Sequence, residues 1–233
     1  MRKYVWFAIS LLVALPSFAQ QKEDTRLKDS YNVLKEILDT PDKGIPTDLL
    51  NKSLCVIVYP SVKKAAFVVG GSYGRGVIMC RTGADHGGPW SAPAMFALEG
   101  GSVGFQIGGE ATDFVLLVMN DQGAKSVMSS KVKLGADASA AAGPVGRSTS
   151  AETDAVMKAE ILSWSRARGV FGGVSLEGST MRSDDGANKN LYGQELSAKD
   201  IVYGGKIQAP ADAQPLIGLL EKASPKHRAS AGQ

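Results

Sequence analysis

The chain reads as an α+β domain: a mainly antiparallel, glycine-rich β-sheet or partly closed barrel, with an N-terminal amphipathic helix and a C-terminal helix. Three observations predict this. Short β-type runs punctuated by glycine crowd the middle of the sequence, helical periodicity sits towards the two ends, and there is no regular strand–helix alternation of the kind that builds a parallel sheet. Hydrophobic residues make up 44% and charged residues 21% of the 233 positions, which excludes wholesale disorder. The 27 glycines follow no three-residue period, so the chain is not collagen-like. Aromatics are only 7%, so Val, Leu, Ile and Ala must fill the core. No Pro/Ser-rich linker divides 27–223, and a single domain over 20–223 is expected, followed by a disordered basic tail at 224–233.

Residues 1–19 have the form of a secretory signal peptide. Arg2 and Lys3 precede an apolar run from Val5 to Leu15, Pro16 breaks it, and Ser17-Phe18-Ala19 places small residues at the −3 and −1 cleavage positions. The run is shorter than the ~20 residues of a membrane span, and no other stretch is long enough. Cleavage after Ala19 leaves Gln20 first, without the cysteine of a lipoprotein anchor. A periplasmic or secreted protein is therefore expected. Two of the 26 basic residues fall in the leader, against 23 acidic residues overall, so the remainder carries a net charge of about +1. That balance argues against a general nucleic-acid binder.

Leu27, Tyr31, Leu34 and Leu38 recur at helical spacing, with Ile37 beside them, and predict a helix over 20–40 that Pro41 and Gly44 stop. A short helix follows Pro46, with Thr47 as candidate N-cap and Leu49-Leu50 inward. Strands are predicted at Leu54–Tyr59, Ala65–Val69, Gly76–Arg81, Met95–Leu98, Val103–Ile107 and Phe114–Met119, with Pro60 ending the first and Gly70-Gly71 and Gly108-Gly109 marking turns or bulges. Asp121 caps a short helix to Met128. Lys131–Val145 is strand-like and made of small residues, so another backbone should pass close by. Ala155–Arg168 reads either as a helix opened by a Thr149/Glu152 capping box or, favoured by the alternation of Ile161–Arg166, as a strand from about Glu160 with a partner at Val170–Met181. A polar loop follows Asp184-Asp185-Gly186, then a short apolar piece at Ile201–Tyr203. The last helix spans Asp212–Ala223, with Leu216, Leu219 and Leu220 inward.

Few motifs carry chemistry. Gly70-Gly-Ser72-Tyr-Gly74 and Gly100-Gly-Ser102-Val-Gly104 match the nucleophile-elbow pattern, and His86-Gly87-Gly88 resembles an oxyanion loop. An elbow needs a helix after its serine, however, and strand-like residues follow both. A serine hydrolase is the weakest of three functional readings. There is no phosphate loop and no dinucleotide fingerprint. Asp184-Asp185-Gly186-Ala-Asn188 departs from a calcium loop and reads as a solvated turn. With two histidines and no Cys-x-x-Cys, neither metal nor cofactor is expected. Asp113, Asp137, Glu160 and Glu177 read as satisfied or exposed carboxylates rather than catalysts. Cys55 and Cys80, both in strand-like runs, form either a disulfide, which export permits, or two buried thiols. Lys63-Lys64, placed in a turn after Pro60, and Arg75, with Arg81, Lys131, Lys133 and Arg147 near other strand ends, compose an anion-binding face if their loops converge.

The sequence also resembles the SYLF lipid-binding domain. The resemblance runs through Pro60-Ser-Val-Lys-Lys-Ala-Ala-Phe67, Gly70-Gly-Ser-Tyr-Gly-Arg-Gly-Val77, Trp90-Ser-Ala-Pro93, Gly100-Gly-Ser-Val-Gly-Phe-Gln-Ile-Gly108, Thr112-Asp113, Leu116-Leu-Val-Met-Asn120, Ser129-Ser-Lys131, Leu134-Gly-Ala-Asp-Ala-Ser139, Ala142-Gly-Pro-Val-Gly-Arg147, Ala159-Glu-Ile-Leu-Ser163, Ser165-Arg166, Ser175-Leu-Glu-Gly178 and Leu191-Tyr-Gly193, covering about 27–205. It implies a binding domain rather than an enzyme. Eukaryotic relatives bind phosphoinositide membranes, yeast relatives also bind actin, and membrane contact is attributed largely to an amphipathic N-terminal helix, which corresponds to about Thr25–Leu38. Between Lys22 and Glu36 this helix carries four basic and four acidic residues, whereas membrane-surface helices usually have a basic excess, so packing on the sheet is the alternative. The expectation is an exported bacterial, non-enzymatic protein that contacts anionic phospholipid or a membrane surface through Lys63, Lys64 and Arg75, with the apolar face of Leu27, Tyr31, Leu34 and Leu38 entering the interface. A protein-interaction module of the cell envelope is the alternative.

Overall fold

The computed structural model describes residues 18–40, 44–66, 69–83, 85–103, 108–145, 156, 158–167 and 170–225. The predicted leader up to residue 17, the tail from 226 and Arg147 lie outside them. Helix α1 (Phe18–Asp39) is followed by α2 (Thr47–Lys52), then four long strands: β1 (Cys55–Ala66), β2 (Val69–Cys80), β3 (Ala94–Val103) and β4 (Gly108–Val118). After α3 (Asp121–Val127) come β5 (Val132–Lys133), β6 (Ala140–Ala142), β7 (Ile161–Ala167), β8 (Val170–Gly173) and β9 (Thr180–Ser183). Helices α4 (Asp185–Tyr192), α5 (Ala198–Tyr203) and α6 (Gln214–Ala223) complete the described chain.

Nine strands form one sheet among the described residues, in the order β5-β9-β3-β2-β1-β4-β7-β6, with β8 also on β7. Pairing is antiparallel except between β6 and β7, and the sheet curls into a half-barrel. The α+β architecture with a helix at each end is as expected. Both faces are covered, which explains the unbroken apolar run at the start of β1. Val56 and Val58 face the side packed by α1, α4 and α6, together with Val77, Met79, Met95, Leu117 and Trp164. Cys55, Ile57 and Tyr59 face the other side, with Ile78, Phe96, Leu116 and residues of α3 and α5. Cys55 and Cys80 are direct cross-strand partners and form a disulfide, Cα atoms 4.0 Å apart.

Several local readings are corrected. Pro60 does not end β1. The strand shifts register against β2 between Val58 and Lys63 and against β4 between Tyr59 and Val62, and this bulge accommodates a residue without an N–H in a central strand. Ser61 takes φ 54° there, and its N–H donates to Asp113 Oδ1 at 2.8 Å. Gly76 lies opposite the bulge because a Cβ would sit 2.0 Å from the Val58 carbonyl oxygen and 2.6 Å from the Tyr59 ring. Lys63 and Lys64 are consequently strand residues, not turn residues. Gly70-Gly71 and Gly108-Gly109 are also within strands, in register with Ala66-Ala65. The runs at 95–98 and 103–107 are one strand as far as Val103; 104–107 lie outside the described residues. Val170–Met181 splits into β8, beside β7, and β9, across the sheet beside β3.

Capping residues shift by one. Asn120, not Asp121, caps α3 through Gly123 N–H, Pro46 rather than Thr47 precedes α2 with no side-chain cap, and Asp184 caps α4, so the predicted loop after 184 is a helix. The small-residue stretch at 131–145 is two short strands, and a backbone does pass close. A Cβ on Gly143 would lie 2.1 Å from the Trp164 ring, and the buried indole donates to Pro144 O at 2.9 Å. The C-terminal helix begins with a 3-10 turn at Ala211–Ala213; Leu216 and Leu220 are buried and Leu219 is partly so. No helix among the described residues is long and apolar enough to cross a membrane.

Candidate functional site

Helix α1 lies on the β1–β2 side of the sheet, and the face it buries differs from the predicted one. The buried positions are Glu23, Arg26, Leu27, Ser30, Val33, Leu34 and Ile37, a 3.6-residue stripe that is polar in its first half. Leu27 and Leu34 are sealed in the core at 1% and 0% exposure, whereas Tyr31 and Leu38 lie at its margin. As folded, Leu27 and Leu34 are therefore withheld from a membrane interface, and the alternative of packing on the sheet is the one adopted.

Strand alternation separates the two lysines of β1. Lys63 pairs with Tyr73 and faces α1, as do Tyr73 and Arg75 two residues apart on β2. Lys64 faces the other side, its ammonium 5.8 Å from the Phe114 ring centroid. Only Lys63 and Arg75 of the predicted trio share a surface, and there they meet two cations that sequence reasoning had not selected, Lys22 and Arg26 of α1. These four line a groove of about 290 Å³ with Asp29 and Tyr73.

Beneath the groove is a buried charge network. Arg26 Nη2 is 2.8 Å from Glu23 Oε2, and its Nη1 is 3.5 Å from Asp184 Oδ2. Arg75 Nε lies 2.9 Å from the same Asp184 oxygen and donates to Tyr73 Oη at 3.0 Å. Burial holds Glu23 above its ordinary carboxylate value, against the opposing pull of Arg26. Burial likewise lowers Arg26, with Glu23 and Asp184 resisting. For Arg75 burial pulls down, but Asp184 and Tyr73 outweigh it and leave the guanidinium above its usual value. Lys22 and Lys63 have no ion-pair partner among the described residues. The groove thus offers two unpaired ammonium groups and one half-exposed guanidinium beside an exposed aromatic ring, chemistry suited to anionic groups.

Arg81 and Lys133 do not join this surface. Arg81 is fully buried, stacks 4.2 Å from the Trp90 ring centroid and donates to Ser224 O and Oγ, closing the end of α6. Lys133 belongs to the edge strand β5. The serine-hydrolase reading loses its scaffold, since Ser72 and Ser102 both lie within strands and, among the described residues, the next element after each is a strand. Asp184 is engaged by two arginines and by the α4 N-terminus, and among the described residues no group of three His, Cys, Asp or Glu is placed to hold a metal. Asp113 and Glu160 are bonded to Arg166 and to Ser139 N–H, and Asp137 accepts from Lys133 N–H, as satisfied carboxylates.

The fold and groove define a curled-sheet domain whose charged concavity faces its N-terminal helix. The chain belongs to the Ysc84 family, the SYLF proteins, whose model, described as "Las17-binding protein actin regulator", matches residues 99–223. It is 36% identical over 196 residues to LAS seventeen-binding protein 3 of Saccharomyces cerevisiae, covering 82% of this chain and 41% of that protein. It is 31% identical over 206 residues to SH3 domain-containing YSC84-like protein 1 of Homo sapiens, covering 86% and 59%. Protein YSC84 of Saccharomyces cerevisiae is 35% identical over 185 residues, covering 77% and 38%. The chain spans less than two thirds of these relatives. The family-model match begins inside β3, so the groove residues on α1, β1 and β2 lie before it.

Proposed function

We propose that this protein is an exported, non-enzymatic lipid-binding domain that contacts anionic phospholipid headgroups through the α1–β1–β2 groove. The observation that carries the reading is the convergence of Lys22, Lys63 and Arg75 on one concave surface, with both lysines unpaired among the described residues. An anionic headgroup would meet Lys22 and Lys63 free of ion pairs, while Arg75 is shared with Asp184. Each lysine near an acidic membrane contributes about 1 kcal/mol. The Cys55–Cys80 disulfide supports a periplasmic or secreted location, where such bonds persist.

The test is flotation with phosphatidylglycerol or cardiolipin vesicles against phosphatidylcholine. Wild type should float with the anionic vesicles only, less so as salt rises, and Lys22→Glu/Lys63→Glu should bind at least thirtyfold more weakly, from ~2 kcal/mol or more. Equal flotation of the double variant would overturn the groove as the contact. One observation favours a second reading: relatives of this chain are named as Las17-binding proteins, so a protein partner in the cell envelope is the alternative occupant of the same surface. Capture of one defined envelope protein, lost in the same variant and without vesicle binding, would select it.

A further inference from the structure

On the opposite side of the sheet from α1, helices α3 and α5 and the segment after β2 border a half-open cavity of about 740 Å³. This is well within the ~300–1,000 Å³ of small-molecule sites. Its apolar wall is built by Ala124 and Met128 from α3 and its cap and by the ring of Tyr203 from α5. Tyr203 is anchored twice: its hydroxyl lies 3.5 Å from Cys55 Sγ of the disulfide, and its ring meets the edge of the His86 ring at 5.8 Å. Burial, with Asp121 adding to it, pushes the Tyr203 hydroxyl up to about 12, so it stays a neutral donor.

Two ammonium groups and one carboxylate lie among the described lining residues, a net positive rim. Lys125 and Lys199 both line the cavity, come from different helices, and have no ion-pair partner among the described residues. The carboxylate in the described lining, Asp121, has Oδ1 3.2 Å from His86 Nε2 and forms no ion pair with either lysine. An apolar wall below two unpaired ammonium groups is complementary to a molecule with an anionic head and an apolar body.

We infer that this cavity is a second binding site, for a single-chain anionic amphiphile whose carboxylate or phosphate head sits between Lys125 and Lys199 and whose chain lies against Ala124, Met128 and Tyr203. The inference is independent of the groove reading, because the two sites share no residue and lie on opposite faces of the sheet.

Calorimetric titration of the full chain tests it with three probes below their micellar concentrations: oleate, oleoyl-lysophosphatidylglycerol and the neutral monooleoylglycerol. One molecule of an anionic probe should bind per chain, and Lys125→Glu/Lys199→Glu should weaken it at least tenfold while Lys22→Glu/Lys63→Glu leaves it unchanged. Should the reversal variant unfold by circular dichroism, Lys125→Gln/Lys199→Gln must show the weakening instead. Binding of only one anionic probe supports the site and identifies whether its head is a free carboxylate or a lipid phosphate. No binding of either anionic probe, equal binding of the neutral one, or indifference to both lysine variants overturns the inference. Loss of vesicle flotation with oleate binding intact would refute the groove alone.

Discussion

Removing the charge of Asp184 while keeping its shape separates the two jobs of the network beneath the groove. In Asp184→Asn the side-chain oxygen that caps α4 through Ala187 N–H remains, but the pairs to Arg75 at 2.9 Å and Arg26 at 3.5 Å lose their anion. The Arg75 side chain is 43% exposed, so water screens that pair to under ~1 kcal/mol. The Arg26 side chain is 8% exposed, and stripping one partner from a buried charge costs ~3–5 kcal/mol. Glu23, 2.8 Å away, stays to neutralise Arg26 and brings the total down to about 2–3 kcal/mol. For a chain of this size that lowers the melting temperature by roughly 4–12 °C, read by circular dichroism at neutral pH. The same substitution frees Arg75 into the groove, and anionic vesicles should bind roughly fivefold tighter, from ~1 kcal/mol. A protein that melts lower yet floats better is the expected signature. A melting temperature unchanged within about 1 °C would show that Glu23 alone satisfies Arg26, and the assigned role of Asp184 would be wrong. Lower stability without tighter flotation would count against the groove.

Two further predictions concern stability. The Glu23 carboxyl is raised in the fold by burial, so the folded chain holds its proton more tightly than the unfolded chain does. Stability therefore falls as pH rises from about 4.5 through the folded value, and Glu23→Gln should remove that slope: melting curves of the two proteins should diverge upward through this window, with wild type losing ground, and parallel curves would refute the assignment. The Cys55–Cys80 link spans a sequence separation of 25, and Cys55→Ala/Cys80→Ala should lower unfolding free energy by about 3.5 kcal/mol in urea titrations, mainly by freeing the unfolded chain; a loss below ~1 kcal/mol would contradict this.

Much of the architecture was legible because it depends on local pattern. The helical spacing of Leu27, Tyr31, Leu34 and Leu38, with Ile37 beside them, marked α1, and Leu216, Leu219 and Leu220 marked α6. The valine- and isoleucine-rich runs marked the central strands, whose burial on both faces demands continuous apolarity. Pro60 misled because a proline stops a strand unless a bulge absorbs it, and the bulge is set by β2 and β4 rather than by neighbours in sequence. Asp184-Asp185-Gly186 read as a loop because its reward for starting a helix comes from capping and from arginines 109 and more positions away.

The sites show the same division. Composition, the apolar periods, the cysteines' strand contexts and the motif series that places the chain in the SYLF family were all available from the one-dimensional string. Only the tertiary structure decided that Lys63 and Lys64, adjacent in sequence, face opposite sides of a sheet, since side-chain direction alternates and the register of β1 had first to be fixed by its bulge. Only it brought Lys22 and Arg26 to Lys63 and Arg75, turned the apolar stripe of α1 inward, and set Lys125 and Lys199 around one cavity. Those are relations between elements far apart in the chain, decided by how faces pack.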